Sequence, residues 1–408
     1  MPETVLVVGF NSRPLAKSLT QSGIAVYAVD FFGDWDLSPV TVDYLAANAV
    51  LAQNGERGEA VPGRFQEIMV DLAKQIVDRY PAIELCIMGS GFDDYFDLID
   101  EINKVVPVIG NTRDALRVLR DEATMNVAAV EAGFQIPPST PVSFLASAYD
   151  MRTPCVLTPD YSSGGLTKIL IQNPDELDAQ IKALGPERNR YTVEDFIPGR
   201  PMSCTFIAGG VNKIIAINDQ LIGEDGCYPQ GPLYYCGNVT PSGASPAVIE
   251  QARQCCQRLI DSLPIRGMNG IDFVAGKDGL YFMELNPRVP GSLEPIELSL
   301  KQPILADIFL ESSELESREY TSQRAAAKYV LYAPREVSPS AQHLLRTMAW
   351  VEDIPAGESS IHVGEPICTA FATGETPDQA RGKGAQLTKE IYEALSNKGK
   401  IIFSPMEP

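Results

Sequence analysis

Residues 4–9, Thr-Val-Leu-Val-Val-Gly, form an unbroken aliphatic run that reads as a strand covered on both faces. Asn11 to Pro14 then open a helix over about 13–22 that Gly23 closes, and a second strand at 24–30 ends on Asp30. An amphipathic helix over about 63–79 leads into a strand at 84–92, and a short strand at 106–110 precedes a helix at about 112–120. A further helix at about 121–133 ends at Gly133, and Ile136-Pro137-Pro138 breaks the chain. Strands and turns dominate 152–240, followed by a helix at 244–262 stopped by Leu263-Pro264. Residues 270–288 read as two strands joined by a Gly-Lys-Asp-Gly hairpin, with a helix at about 294–309 after them. A polar stretch at 312–324 looks like a linker, and beyond it come strands at 326–333 and 367–373 and a helix at about 377–396.

This order makes the chain an α/β protein that opens with a Rossmann-like βαβ unit. The first turn, Gly9-Phe10-Asn11-Ser12-Arg13, lacks G-x-G-x-x-G, so a nicotinamide cofactor is not expected. The composition, 45% hydrophobic and 21% charged over 408 residues, is that of a folded multidomain protein rather than a disordered one. A formal charge of −20 argues against a nucleic-acid or anionic-membrane partner, since phosphate surfaces require clustered Lys and Arg. It leaves room for a nucleotide held by a few local cations and a metal. The eight Cys lack any C-x-x-C spacing and lie mostly in apolar runs, so buried free thiols are expected, and nothing demands that Cys227 and Cys236 pair. With no basic segment before the short apolar N-terminal run and no membrane-length apolar stretch, the reading is cytoplasmic.

The chemistry concentrates in 272–288. A tight hairpin brings Asp272 and Glu284 close together, and Asn286, two residues on, emerges on the face of Glu284. Two carboxylates and an amide without His or Cys suit Mg²⁺, which borrows its other ligands from water and substrate phosphates. Arg288 follows as a fixed cation suited to a phosphoryl group. Arg13, after the first strand, is a candidate contact for a second substrate. His343 and His362 stand alone, so no nucleophilic triad is expected.

The segment resembles the metal-binding core of ATP-grasp ligases, in which an acid on one strand faces E-x-N-P-R on the next. Three more stretches occur in the order that family requires: 121–140, containing Ile136-Pro137-Pro138; 153–171, with its Ser162-Ser163-Gly164-Gly165 loop; and 193–207, the hinge strand. The resemblance implies an ATP-grasp fold with an N-terminal Rossmann-like pre-ATP-grasp domain at 1–114. The ATP-grasp domain would span 115–311, with a lid at about 140–198. A small β-rich C-terminal domain at 325–408 resembles that of biotin-carboxylase-like and purine-ligase members.

It further implies an ATP- and Mg-dependent ligase that activates a carboxylate as an acyl phosphate and joins it to an amine, most like archaeal-type carboxylate–amine ligases. The partners would be small-molecule carboxylate and amine substrates, and the dimers common in the superfamily leave a homodimer open. Asp272, Glu284 and Asn286 would hold Mg²⁺, and Arg288 would steady the acyl phosphate. Ser162, Ser163, Gly164 and Gly165 would cover the ATP phosphates, Lys168 would add a cation, and Glu194 and Ile197 would meet the adenine. The chain departs from the family at Glu122 and Thr158, where the usual phosphate-facing residues are lysines. Lys168, Arg117 and Arg120 are the candidates to compensate. The alternative reading is a catalytically degenerate nucleotide- or metabolite-binding subunit.

Overall fold

Alternate residues of strand β1 (Thr4–Gly9) face opposite ways, and both sets are buried. Val5 and Val7 pack on Leu15, Ala16 and Leu19 of helix Arg13–Gln21, and Leu6 and Val8 on Ile68, Leu72 and Ile76 of helix Arg64–Arg79. This two-sided cover is why the run carries no polar alternation. The computed structural model describes residues 1–55, 63–145, 147, 151–160, 167–357 and 360–397. β2 (Ala25–Asp30), β3 (Asp43–Ala46), β4 (Leu85–Met88) and β5 (Val108–Ile109) complete a parallel sheet in the order β3-β2-β1-β4-β5. β3 is four half-buried residues with no sequence signal. β4 stops at Met88 rather than 92, because Gly89-Ser90-Gly91 turns away with Gly91 at φ 99°. A Cβ on Gly9 would lie 2.9 Å from Gly89 Cα, so glycine lets the carboxyl ends of β1 and β4 approach.

Two antiparallel sheets follow. β6 (Ser139–Pro141), β7 (Cys155–Pro159), β8 (Ile169–Ile171) and β9 (Tyr191–Asp195) pair in the order β6-β9-β7-β8. One face buries Cys155, Leu157, Ile171 and Val193 against Leu177 of helix Pro174–Leu184. The larger sheet contains β10 (Gly199–Ala208), β11 (Lys213–Ile222), β12 (Tyr235–Thr240), β13 (Gly267–Gly276), β14 (Gly279–Asn286), β15 (Ala325–Tyr332), β16 (Val351–Glu352) and β17 (Pro366–Gly374). Its order is β14-β13-β10-β11-β12-β15-β17-β16, so the last three strands extend the central sheet rather than form one of their own.

The helix expected at 294–309 is divided. Leu293–Leu300 ends at Lys301, at φ 59°, and Leu305–Phe309 is a 3₁₀ turn, because Pro303 cannot continue the helix. The polar stretch expected as a linker contains a short helix, Ser312–Ser317, whose backbone is closed by reciprocal bonds of Glu311 and Glu314. All eight Cys are buried and free, Cys227 and Cys236 included.

The segments converge on Arg13, which is 1% exposed. Its Nε donates to Asp353 Oδ1 at 2.6 Å, Nη2 to Glu294 Oε1 at 2.7 Å, and Nη1 to Glu352. Asp36 lies 3.5 Å from Nε, and Lys328 Nζ donates to the other Glu294 oxygen at 2.8 Å. This corrects the expectation that Arg13 contacts substrate: its guanidinium is consumed by ion pairs joining the N-terminal sheet, the helix after β14 and the C-terminal strands. Burial pushes the Asp353 carboxyl up, but Arg13 and Lys328 hold it well below the ordinary range.

Arg13→Met leaves Asp36 and Asp353 without their cation and takes one partner from Glu294 and Glu352, and should cost about 3–5 kcal/mol, read as a lower urea midpoint. Glu297, on the same helix as Glu294, is pushed up to about 7 by burial, against bonds from Ser18 Oγ and the Ile304 N–H. The folded protein therefore keeps a proton that the unfolded chain releases near the ordinary glutamate value of 4.5, and this stabilising contribution is lost as pH rises to about 7. Glu297→Gln should accordingly lose less stability than wild type between about pH 5 and pH 8, by on the order of 2–3 kcal/mol in urea titrations at each pH.

Candidate active site

β13 and β14 are joined at Lys277-Asp278, and their register sets Asp272 opposite Glu284 and Gly270 opposite Asn286. Cross-strand partners share a face, so the hairpin alone brings the two carboxylates together. Asn286 lies between them: its Nδ2 donates to Asp272 Oδ2 at 3.0 Å and to Glu284 Oε1 at 3.4 Å. Burial, and then repulsion from Glu284, pushes the Asp272 carboxyl up to about 7, against a bond from Gln220 and the charge of Arg288. Two acids held this close are a charge problem that a divalent cation would relieve.

The donor set therefore fits Mg²⁺: hard oxygens, no His or Cys, and a mutual repulsion in want of a cation. Among the described residues no three His, Cys, Asp or Glu side chains converge as a ligand set, so further oxygens must come from Asn286, phosphate and water. The Asn286 oxygen presently accepts from Arg288 Nη2 at 3.1 Å.

Arg288 is reached from the other side by Asp93, whose Oδ2 accepts from Nε at 2.9 Å. Asp93 follows β4 at the carboxyl edge of the parallel sheet, the edge at which α/β proteins hold ligands. The Gly-Ser-Gly-Phe-Asp-Asp run after that strand was the available signal for it. Gln220 lies within β11 and hydrogen-bonds the Asp272 carboxyl. The buried Tyr235 phenol, which donates to Asn238, lies beside Asp272 and Glu294, and burial pushes it above its ordinary pKa ahead of those charges.

A second cluster lies on the small sheet. Val156 pairs with Glu194 and Thr158 with Thr192, so Glu194 and Thr158 point away from the core formed by Leu157 and Val193. Burial raises the Glu194 carboxyl, Lys168 opposes the shift and Glu122 adds to it. Lys168, Glu122, Thr158 and Glu194 are thus electrostatic neighbours. Glu122 is in the first turn of helix Glu122–Ala132, where an acid suits the helix dipole, and Asp121 caps that helix by accepting from Thr124 N at 2.8 Å. Of the other candidate cations, Arg120 donates to Asp94 at 2.7 Å, and exposed Arg117 lies 3.8 Å from Asp114. Ile197, between β9 and β10, lies near the hairpin: a Cβ on Gly276 would be 3.3 Å from its Cγ2. Ser162, Ser163, Gly164 and Gly165 lie outside the described residues. Asp93→Ala should leave the half-buried Arg288 without its ion partner and cost about 1–3 kcal/mol, seen as a lower melting temperature, whereas Asp93→Asn keeps a hydrogen-bond acceptor and should cost less.

Comparison with known proteins agrees with this geometry. A family model described as the ATP-grasp domain matches residues 124–292, which contain Asp272, Glu284, Asn286 and Arg288 as well as Thr158, Lys168 and Glu194. An uncharacterised protein of Methanocaldococcus jannaschii is 26% identical over 90% of this chain and 87% of its own length. The formate-dependent phosphoribosylglycinamide formyltransferase of Pelobacter propionicus is 23% identical over 93% of each chain. The crystal structure of L-amino acid ligase from Bacillus licheniformis superposes with a TM-score of 0.64 at 12% identity, over 96% of this chain and 97% of the other. No helix among the described residues is long and apolar enough to cross a membrane. The acidic hairpin, the small sheet set beside it and these likenesses lead to one assignment: residues 124–292 are an ATP-grasp domain.

Proposed function

We propose that the protein is an ATP- and Mg-dependent ligase that activates a carboxylate as an acyl phosphate and joins it to an amine. The observation that carries this reading is the Asp272–Glu284 pair bridged by Asn286, with Arg288 held beside it by Asp93. The named relatives support it: a formate-dependent formyltransferase and an L-amino acid ligase are both similar to this chain along most of its length.

Asp272 and Glu284, with Asn286, would hold Mg²⁺, which when bound neutralises charge on the ATP phosphates. The remaining work falls to positioning and electrostatics. A substrate carboxylate oxygen attacks the terminal phosphorus and ADP leaves; the amine nitrogen then attacks the acyl carbon, phosphate leaves and the nitrogen gives up a proton. Arg288 supplies a positive charge that does not titrate in the working range, fixed by Asp93 and Asn286, for the oxygens of the acyl phosphate. Glu194 would accept from the adenine amino group and the backbone near Ile197 would meet the ring. Lys168 would carry the positive charge that Glu122 and Thr158 do not provide. Ser162, Ser163, Gly164 and Gly165 would close over the phosphates with backbone N–H groups.

Glu122, whose charge acts on Glu194, favours the second reading of a binding protein without turnover. Calorimetric titration with ATP and ADP, with and without Mg²⁺, separates the two when coupled to ADP release over a panel of carboxylates and amines. Wild type should bind ATP in a Mg²⁺-dependent way and release ADP with a matching pair. Glu284→Ala should weaken that binding at least tenfold and abolish release. Mg²⁺-dependent binding without release on any pair would favour the second reading, and no Mg²⁺-dependent binding at all would sink both.

A further inference from the structure

The carboxyl edge of the parallel sheet gathers more negative charge than the structure neutralises. Around Arg13, the carboxylates of Asp36, Glu294, Glu352 and Asp353 all take part in ion pairs. Asp30, at the end of β2, spends both oxygens on backbone: Oδ2 accepts from Ser12 N at 2.6 Å, and Oδ1 from Phe32 N and Gly33 N at 2.8 and 2.7 Å. Asp34, four residues on, is different. It is 7% exposed, and among the described residues no donor or cation pairs with its carboxylate. Burial, and then repulsion from Asp30, Asp353 and Asp36, raises its carboxyl well above the ordinary range, and Arg13 opposes the shift only weakly. A buried carboxylate without a partner is costly, and such a group marks a place where a ligand completes the set. The cluster is not sealed: the side chains of Asp36 and Glu352 retain 16% and 25% of their accessible surface.

Two further observations indicate the kind of ligand. Phe10 follows β1, which lies between β2 and β4, and its ring stacks on Phe31 at 4.7 Å and meets Phe32 edge-on at 4.8 Å. The half-buried rings of Phe10 and Phe32, which follow β1 and β2, give this edge of the sheet an aromatic surface suited to an alkyl chain and to a cation over an aromatic face. On the far side of that surface, Asp93 follows β4 and holds Arg288. The ends of β2 and β4 lie two strand spacings apart, about 10 Å, the reach of a short alkyl diamine.

We propose that Asp34, with Asp36 and Asp353, seats the ammonium group of a diamine-type substrate, meaning a small amine that carries a second, protonated nitrogen. The nitrogen against the carboxylates is kept protonated by them and so cannot attack. The alkyl chain crosses Phe10, and the other nitrogen is presented toward Arg288. This substrate class rests on the ligase reading, whereas the cation site itself does not.

The test is titration of the full chain with putrescine and cadaverine at physiological salt without nucleotide, by calorimetry and melting temperature, with 1,4-butanediol and succinate as neutral and anionic counterparts. Wild type should bind the diamines and melt higher with them, and should ignore the diol and the diacid. Asp34→Asn, which keeps the shape and removes the charge, should weaken diamine binding at least tenfold while leaving Mg-ATP binding unchanged; Asp34→Ser serves where Asp34→Asn fails to fold. No diamine binding by wild type, equal binding of butanediol, or undiminished binding by the variants would overturn the site. Diamine binding that persists without any Mg-ATP binding would sink the ligase reading and leave the cation site standing. Mg-ATP binding without diamine binding would do the reverse.

Discussion

The buried guanidinium of Arg13 is the interaction on which the assembly depends. A desolvated Arg is tolerable only when its donors are met by carboxylates, and here those carboxylates come from the loop after β2, the helix after β14 and the β16 region. Each segment is distant in sequence, and each supplies an acid that would itself be costly to bury alone. The result is mutual dependence: the N-terminal sheet, the ATP-grasp hairpin and the C-terminal strands are held in one arrangement because no pair of them satisfies the charges without the third. Lys328 completes the set by taking the second oxygen of Glu294.

That arrangement also accounts for the setting of the reaction centre. Once the parallel sheet is docked through Arg13, its carboxyl edge meets the β13–β14 hairpin, and Asp93 closes onto Arg288. The hairpin brings two acids together by register alone, but the basic group beside them is oriented from another part of the chain. Electrostatics at this edge runs consistently toward negative. Asp272 and Asp34 are both raised by burial and by neighbouring acids, so a cation bound beside either would favour its charged form.

Glu122 and Thr158 illustrate how one residue answers to two constraints. Glu122 is well placed for its own helix, in the first turn where the dipole favours an acid. The same side chain acts unfavourably on Glu194 across the small sheet. Lys168, immediately before β8, opposes the effect. The overall charge of −20 therefore bears on function locally: each cation near these acids carries more of the neutralisation than it would in a balanced chain.

Local pattern was enough for the strands and helices that bury one stripe or a continuous run, and for the Asp272, Glu284 and Asn286 cluster, because a two-residue hairpin turn determines the cross-strand neighbours of both strands. It failed at β3, too short and half-exposed to leave a periodicity, and at the helix that Pro303 divides. It also failed for Arg13, whose partners lie 23 to 340 residues away in sequence. The pairing of Asp93 with Arg288, the isolation of Asp34 and the sharing of one sheet by β12 and β15 are likewise invisible to any window. The sequence by itself determined which residues carry charge and which short segments fold. Only the tertiary structure decided which charges are spent on each other and which remain for a ligand, because ion pairing in a desolvated interior depends on distances that chain order does not encode.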